Sequence, residues 1–236
     1  DSSVDYQIFD LMRTRYGLCG SWTVWNESPW SPDSIRAPQL KLDSVVRTFG
    51  EVRSQQQLDT ELPSLRTDLV LVALNFAERA AGITAVTDRL SFASFHEECG
   101  RTSDRRLREA CKGNGLEGAY ITDLVKMRNG TLAPFRSSKS MPINTLLRDP
   151  RFVREQVDGL CEELQTLGSR NPLIVGLGAQ VYKALYAPAS LDKLRETCGN
   201  GTQVARITHY SSMTGMTLPT YISRVGQELA DFRDYL

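Results

Sequence analysis

The hydrophobic pattern of the chain centres on one short stretch, in which six of the seven residues from Leu69 to Asn75 are apolar and mostly branched. A continuous apolar run of this length is typical of a strand buried on both faces, as in the middle of a parallel sheet. Three further strands are predicted over residues 118–125, 172–178 and 204–208.

Apolar positions between these strands recur at helical spacing. They predict helices over residues 5–16, within 84–112, over 144–167 with an interruption near Pro150, over 179–186, and from Ile222 to Leu236. Residues 17–40, which contain all three Trp, and residues 126–143 are predicted to be irregular.

Strands that alternate with helices predict an α/β fold. We expect a three-layer α/β/α sandwich with a central four-stranded, mainly parallel sheet. Residues 1–236 are expected to form a single domain, with residues 1–65 as an N-terminal helical and irregular extension packed on it.

The composition is that of a soluble globular protein, with 41% hydrophobic and 24% charged residues. No apolar run approaches the roughly 20 residues that cross a bilayer, and the first residues lack a secretory pattern. Five scattered Cys fit reduced thiols better than a disulfide framework, and their spacing matches no metal site. We therefore expect a cytoplasmic monomer with no metal, no cofactor and no membrane contact.

The net charge is zero, but charge is unevenly distributed along the chain. Residues 101–154 contain 12 Lys or Arg and five Asp or Glu. Such asymmetry is typical of a basic face that contacts nucleic acid. The alternative is that these charged residues lie on ordinary solvent-exposed helix surfaces and bind no partner.

Three polar residues lie at or near the carboxyl ends of predicted strands. Because the carboxyl ends of parallel strands meet at one edge of the sheet, Asn75, Asp123 and His209 are expected to converge in a single cleft. Each also has a structural alternative: Asn75 as an Asx-turn, Asp123 as a helix cap and His209 as a hydrogen-bonding structural residue.

Two familiar motifs are incomplete in this chain. The glycines of Gly176-Leu-Gly178 suggest a dinucleotide site, but Val181 stands where the third glycine belongs, and close strand-to-helix packing explains them equally well. His209 lies near Ser211, yet no Gly-x-Ser-x-Gly elbow is present.

Four segments together resemble the motifs of the uracil-DNA glycosylase superfamily, in order and spacing, over roughly residues 65–230. They are Ala73-Leu-Asn75-Phe-Ala for the family's Gly-x-Asn-Pro-Gly, Ile121-Thr-Asp123-Leu-Val-Lys126 for Thr-Asn-hydrophobic-Val-Lys, Gly176-Leu-Gly, and His209-Tyr-Ser211-Ser for His-Pro-Ser. The resemblance is to the Asn-bearing branches, and it implies catalytic roles for Asn75 and His209. Asn75 would position the attacking water, and His209 would stabilise the departing base.

Two departures from the family's motifs bear on the substrate. Phe76 and Ala77 replace Pro and Gly, which reshapes the floor of the base pocket. Asp123 replaces the Asn that reads the base, and a carboxylate only accepts hydrogen bonds. It therefore suits the exocyclic amine of cytosine better than the 4-oxo group of uracil.

The target base has to leave the DNA stack to be reached. Besides Asp123, the expected base-binding residues are Phe76, Phe92 and Phe95. The residues expected to contact DNA are Lys126, Arg128, Arg136, Lys139, Ser211, Ser212, Met213 and Met216.

The resemblance thus predicts a monofunctional DNA N-glycosylase that removes a flipped-out pyrimidine, a modified cytosine of foreign or phage DNA. Removal of uracil or a mismatched pyrimidine in base excision is the alternative with the same chemistry. Two further alternatives are a DNA-binding module of the same fold that has lost catalysis, and a hydrolase of small nucleosides or other glycosides.

Overall fold

The computed structural model of the chain describes residues 4–26, 41–76, 90–98, 104–135, 143–211 and 215–236. Its strands are β1 (Ser21–Trp22), β2 (Lys41–Leu42), β3 (Arg66–Asn75), β4 (Glu97–Glu98), β5 (Ala119–Val125), β6 (Met127–Arg128), β7 (Thr131–Leu132), β8 (Leu173–Leu177) and β9 (Gln203–Ile207). Its α-helices are α1 (Tyr6–Tyr16), α2 (Val45–Glu51), α3 (Gln55–Glu61), α4 (Asp104–Gly113), α5 (Ile143–Leu146), α6 (Pro150–Leu167), α7 (Ala179–Tyr186), α8 (Pro188–Cys198) and α9 (Leu218–Glu228). A 3-10 segment, Ala230–Tyr235, closes the described chain.

The centre of the fold is a five-stranded sheet in the order β1-β5-β3-β8-β9. Strands β5, β3, β8 and β9 run parallel, and they are the four strands that the hydrophobic pattern predicts. The expectation of four strands needs one correction, because β1 adds an antiparallel edge strand through Ser21 and Trp22. Two residues are too short to show a strand period, so the sequence pattern does not reveal β1.

Apolar side chains cover both faces of the sheet, because neighbouring residues of a strand point to opposite sides. The front cluster contains strand residues Leu69, Leu71, Ile121, Val175 and Ile207, with Leu107 of α4 and Val225 of α9. The back cluster contains strand residues Val70, Val72, Tyr120, Ile174 and Val204, with residues of α1, α2, α6, α7 and α8. The structure is therefore mixed α/β, as the strand and helix alternation predicts.

Local signals explain several boundaries. Helix α6 begins where the interruption near Pro150 is predicted, because the Asp149 side chain accepts from the backbone N–H of Arg151 (2.9 Å) and proline suits the first helical turn. It ends at Gly168, whose φ of 73° suits a residue without a Cβ. Helix α7 has the predicted bounds, and Pro188 then starts α8.

Other predicted boundaries differ from the structure. Within the predicted helical region 84–112, residues 90–98 form turns and strand β4, and helix begins only at Asp104 in the described part. Residues 126–143, expected to be a loop, contain the hairpin β6–β7. The closing helix ends at Glu228, and the chain continues as the 3-10 segment. No helix in the described ranges has the length and apolar character to cross a membrane.

Candidate active site

The strand order creates a switch point at the carboxyl edge of the sheet. From β3 the chain crosses to β5 on one side, then returns to β8 and β9 on the other side. In open α/β sheets, ligands bind in the crevice where the strand order reverses in this way. The structure therefore singles out the carboxyl ends of β3 and β8.

Strand register aligns Asn75 with His209 at this edge. Val72 pairs with Gly176 of β8, which pairs with Arg206 of β9, so these three residues lie at one level. Asn75 follows Val72 by three residues, and His209 follows Arg206 by three, which brings both close to a common level. Strand β8 lies between β3 and β9, and two strand spacings correspond to about 10 Å.

Gly178 occupies the gap between these two residues. Its backbone N–H donates to the carbonyl of Ile207 (2.8 Å), and its φ is 98°, a conformation that favours glycine. A Cβ built at this position would lie 3.4 Å from the Cβ of His209. A larger residue here would therefore contact His209 and would have to adopt a backbone conformation that side chains disfavour.

The orientation of the His209 ring is fixed by Ser211. The backbone N–H of Ser211 donates to Nδ1 (3.1 Å), and the Ser211 hydroxyl lies 2.7 Å from the same nitrogen. Burial lowers the pKa of His209, which favours the neutral ring. Because Nδ1 accepts, the neutral ring carries its proton on Nε2 and presents that N–H as a donor.

The backbone before His209 is held by helix α9. Glu228 accepts hydrogen bonds from the backbone N–H (2.6 Å) and hydroxyl (2.7 Å) of Thr208. Tyr221 donates its hydroxyl to the Thr208 carbonyl (2.8 Å). The Tyr210 ring stacks on the imidazole with a centroid separation of 4.4 Å. Helix and stacked ring together restrict where His209 can point.

Asp123 lies deeper in the same crevice. It pairs with Ala73 in β5–β3 register, so it shares a face with Asn75, two residues below it. Its exposed fraction is 6%. Burial raises the pKa of Tyr210 well above its ordinary value, and the carboxylates of Asp104 and Asp123 add to the effect. Asp123 therefore lies near the phenol that backs His209.

The predicted phosphate contact of Lys126 requires correction. Its side chain is fully buried and forms an ion pair with Glu163 of α6 while donating to the Thr122 hydroxyl (2.7 Å). Burial alone lowers the pKa of Lys126, but Glu163 and other nearby acidic groups together raise it. A lysine enclosed on the back of β5 does not reach a DNA phosphate.

The predicted stacking of Phe92 on a base also requires correction. Phe92 is fully buried in the back cluster, with ring centroids 5.7 Å from Phe49 and 6.3 Å from Trp22. Phe95 belongs to the front cluster and is 8% exposed, and its carbonyl accepts from Trp25 Nε1 (3.3 Å). The enclosed ring of Phe92 has no face for a flipped base, and that of Phe95 is almost fully covered.

Phe76, predicted to bind the base, follows β3, and Arg128, predicted to bind DNA, follows β5. Phe76 is half-buried against the back cluster, and its backbone is bonded to the Val125 carbonyl (3.0 Å) and the Phe135 N–H (2.8 Å). Arg128 is exposed, with its guanidinium 4.7 Å from the centre of the Phe135 ring. Of the two described cations that were predicted to contact DNA, Lys126 is buried and Arg128 is accessible.

Two of the remaining residues predicted to contact DNA, Ser211 and Met216, lie in the segment after His209. Ser211 is exposed, and Met216 is half-buried against the front cluster. Four predicted contacts lie outside the described residues: Arg136, Lys139, Ser212 and Met213.

The glycines of the incomplete dinucleotide motif have a packing explanation. A Cβ on Gly176 would lie 3.1 Å from the backbone nitrogen of Tyr182 and 3.4 Å from Val181. Close approach of α7 to β8 therefore requires the small residue. Among the described residues, no three His, Cys, Asp or Glu side chains are grouped to hold a metal ion.

Sequence reasoning missed the residues that position His209. Tyr210 directly follows the histidine, and its large aromatic side chain at a strand end was a usable signal. Glu228 lies 20 residues from its partner Thr208, and no local pattern indicates that contact.

Comparison with models of known protein families gives no match for this chain. Comparison with curated proteins gives none either.

Proposed function

We propose that this protein is a monofunctional DNA N-glycosylase, and that it removes a flipped-out modified cytosine. The observation that carries the proposal is the placement of Asn75 and His209 on either side of Gly178 at the switch point of the sheet. Asn75, Asp123 and His209, which belong to the segments that resemble motifs of uracil-DNA glycosylases, lie at this edge of the sheet, whereas Lys126 of the second motif does not.

The state of His209 suits stabilisation of a departing base. Hydrolysis breaks the bond between the base nitrogen and the sugar C1′, and the base leaves with the electron pair while the sugar becomes oxocarbenium-like. A donor aimed at the oxygen that gains negative charge lowers this barrier. The neutral ring offers Nε2–H, since Nδ1 is occupied by Ser211.

Asn75 suits the placement of the attacking water. Its amide oxygen accepts a hydrogen bond from the water, whose oxygen forms the new bond to C1′. An amide is a weak base, so its contribution is orientation rather than proton removal. Asn75 is half-buried, and no described residue donates to or accepts from its side chain.

Asp123 is the basis for proposing cytosine rather than uracil. Its carboxylate accepts but does not donate, and cytosine presents an exocyclic amine where uracil presents an oxygen. The position of Asp123 below Asn75, on the same face, suits a base whose glycosidic bond lies near Asn75.

The test is mass spectrometry of bases released from DNA duplexes that carry uracil, cytosine, 5-hydroxymethylcytosine or its glucosylated form. We expect the wild type to release a modified cytosine. Asn75→Ala should reduce that release by at least about a hundredfold, since orientation effects of this kind are large. Asp123→Asn should shift release toward uracil, because an amide also donates.

Asp192→Asn, which alters an exposed carboxylate on α8, is the matched control and should leave release unchanged. Release of uracil alone by the wild type would favour the repair alternative and remove the argument from Asp123. Tight DNA binding without release of any base, unchanged in Asn75→Ala, would favour a DNA-binding module without catalysis.

A further inference from the structure

We propose that a second cleft, on the back layer between α6, α7 and α8, binds a small organic phosphate. The cleft has a volume of about 580 Å³, within the range of roughly 300–1,000 Å³ that is usual for small-molecule sites. Its walls come from these helices and from the turns that precede α6 and α8, and the described lining residues include no strand ends. The cleft is therefore separate from the crevice of the proposed glycosylase.

Positive charge dominates the lining. Among the described residues that line the cleft, one is acidic, Asp158, and the cations are Arg148, Arg154, Lys183 and Lys193. Lys193 forms an ion pair with Glu196 (3.4 Å). No described carboxylate is within ion-pair distance of Arg148, Arg154 or Lys183, so three cations around one cleft lack a counterion in the described part of the chain.

The N-terminus of α8 adds backbone donors to this cleft. Its N-cap residue, Ala187, has no polar side chain that could cap the 11-residue helix. Pro188, the next residue, carries no N–H. The N–H groups of Ala189 and Ser190, both in the lining, have no acceptor among the described residues. Such free donors, at the positive end of a helix dipole, are suited to phosphate oxygens.

The side chain of Ser190 supplies an independent indication of a ligand. Ser190 lines the cleft and is only 7% exposed, yet its hydroxyl forms no hydrogen bond with the described residues. Because the rest of the residue is buried, this hydroxyl is open to a partner from the cleft that it lines. A phosphate oxygen held by the α8 N-terminus would complete the pairing of this hydroxyl.

The floor of the cleft is apolar, which indicates that the phosphate belongs to an organic molecule. Leu147, Val153, Val157 and Ala184 line it beneath the cations. Inorganic phosphate would leave this surface uncovered, whereas an apolar body attached to the phosphate would bury it. The ligand class is therefore a phosphomonoester with a compact apolar body.

The test uses phenyl phosphate as the probe, with binding measured by isothermal titration calorimetry on the full chain. We expect phenyl phosphate to bind more tightly than inorganic phosphate. Ser190→Ala and Arg154→Gln should each weaken binding by about tenfold, the usual effect of losing one charge-assisted hydrogen bond. Arg151→Gln, a matched exposed arginine of α6 outside the lining, should not change it.

A short DNA duplex, titrated in parallel, separates the two sources of phosphate. Weaker duplex binding in Ser190→Ala and Arg154→Gln, with no binding of phenyl phosphate, would overturn the proposal and assign the cleft to DNA. Equal weakening in Arg151→Gln would overturn it by showing a non-specific charge effect. Base release that stays at the wild-type level in Ser190→Ala would support the independence of the two sites.

Discussion

The two histidines of the chain differ in environment and therefore in chemistry. His96 is fully buried between Trp25 and Phe49, and its Nε2 bonds to the Ser21 hydroxyl (2.8 Å). Burial lowers the pKa of His96 to about 3. His209 is only partly buried and lies at the carboxyl edge of the sheet. One histidine is thus enclosed in the core, and the other lies partly exposed at the edge of the sheet.

His96 makes stability depend on pH. Because its folded pKa of about 3 lies below the ordinary value of 6.5, the unfolded chain binds a proton that the folded chain excludes between these values. The stabilisation is therefore complete above pH 6.5 and is lost as pH falls toward 3, at about 1.4 kcal/mol per pH unit for one proton. Urea denaturation at several pH values in this window measures the slope.

His96→Gln keeps an N–H donor for Ser21 and removes the titrating ring. The slope of its unfolding free energy against pH should be shallower than that of the wild type by about one proton. Identical slopes for the two proteins would show that His96 does not contribute to the acid sensitivity.

At the scale of elements, helix α6 fixes the chain where it leaves β5. Gln156 accepts from the backbone N–H groups of Lys126 (2.9 Å) and Met127 (2.8 Å) and donates to the Met127 carbonyl (2.9 Å). Glu163, on the same helix, pairs with the Lys126 side chain and accepts from the Tyr120 hydroxyl (2.6 Å). These contacts hold β5, and with it Asp123, against the back layer.

The buried pair is expected to be sensitive to the loss of one partner. Lys126→Met leaves the Glu163 carboxylate buried without its cation, which should lower the free energy of unfolding by about 3–5 kcal/mol. Lys126→Met with Glu163→Gln removes the unpaired charge while keeping an acceptor for Tyr120, so most of the loss should be recovered. Chemical denaturation of both variants checks this.

Lys193→Met is the matched control, because its exposed pair with Glu196 should contribute less than about 1 kcal/mol. If the double variant is as unstable as Lys126→Met alone, the explanation by an unpaired buried charge is wrong.

At the scale of the whole molecule, a neutral net charge coexists with a basic stretch of sequence. The fold divides the cations of that stretch among separate environments. Lys126 is enclosed, Arg148 and Arg154 line the back cleft, and Arg128 is exposed beyond the end of β5. The basic stretch is therefore not one continuous DNA-binding face in the described part of the chain.

If the proposed function is correct, Arg128 should contact a DNA phosphate. Arg128→Gln should weaken binding of a duplex uniformly across sequences, and the slope of log K against log salt should fall by about one. Fluorescence anisotropy over a series of salt concentrations measures both quantities. Arg47→Gln, an exposed arginine of α2, serves as the control and should leave the slope unchanged. An unchanged slope in Arg128→Gln would exclude the phosphate contact.

The sequence by itself determined the local structure around the candidate site. The apolar runs gave the four parallel strands, because burial on both faces leaves a continuous hydrophobic signal. Asp149, Pro150 and Gly168 set the limits of α6, because capping depends on neighbouring residues. Placement of Asn75 at the end of β3, Asp123 near the end of β5 and His209 just beyond β9 followed from the same runs.

Only the tertiary structure decided which partners these residues meet. Strand order and register put Asn75 and His209 on either side of Gly178, and contacts between distant segments enclosed Phe92 and Lys126. The direction of a side chain after a strand ends depends on packing that no local period records. The Glu163 carboxylate that pairs with Lys126 comes from another element, 37 residues along the chain, so the sequence pattern around the lysine carries no sign of the pair.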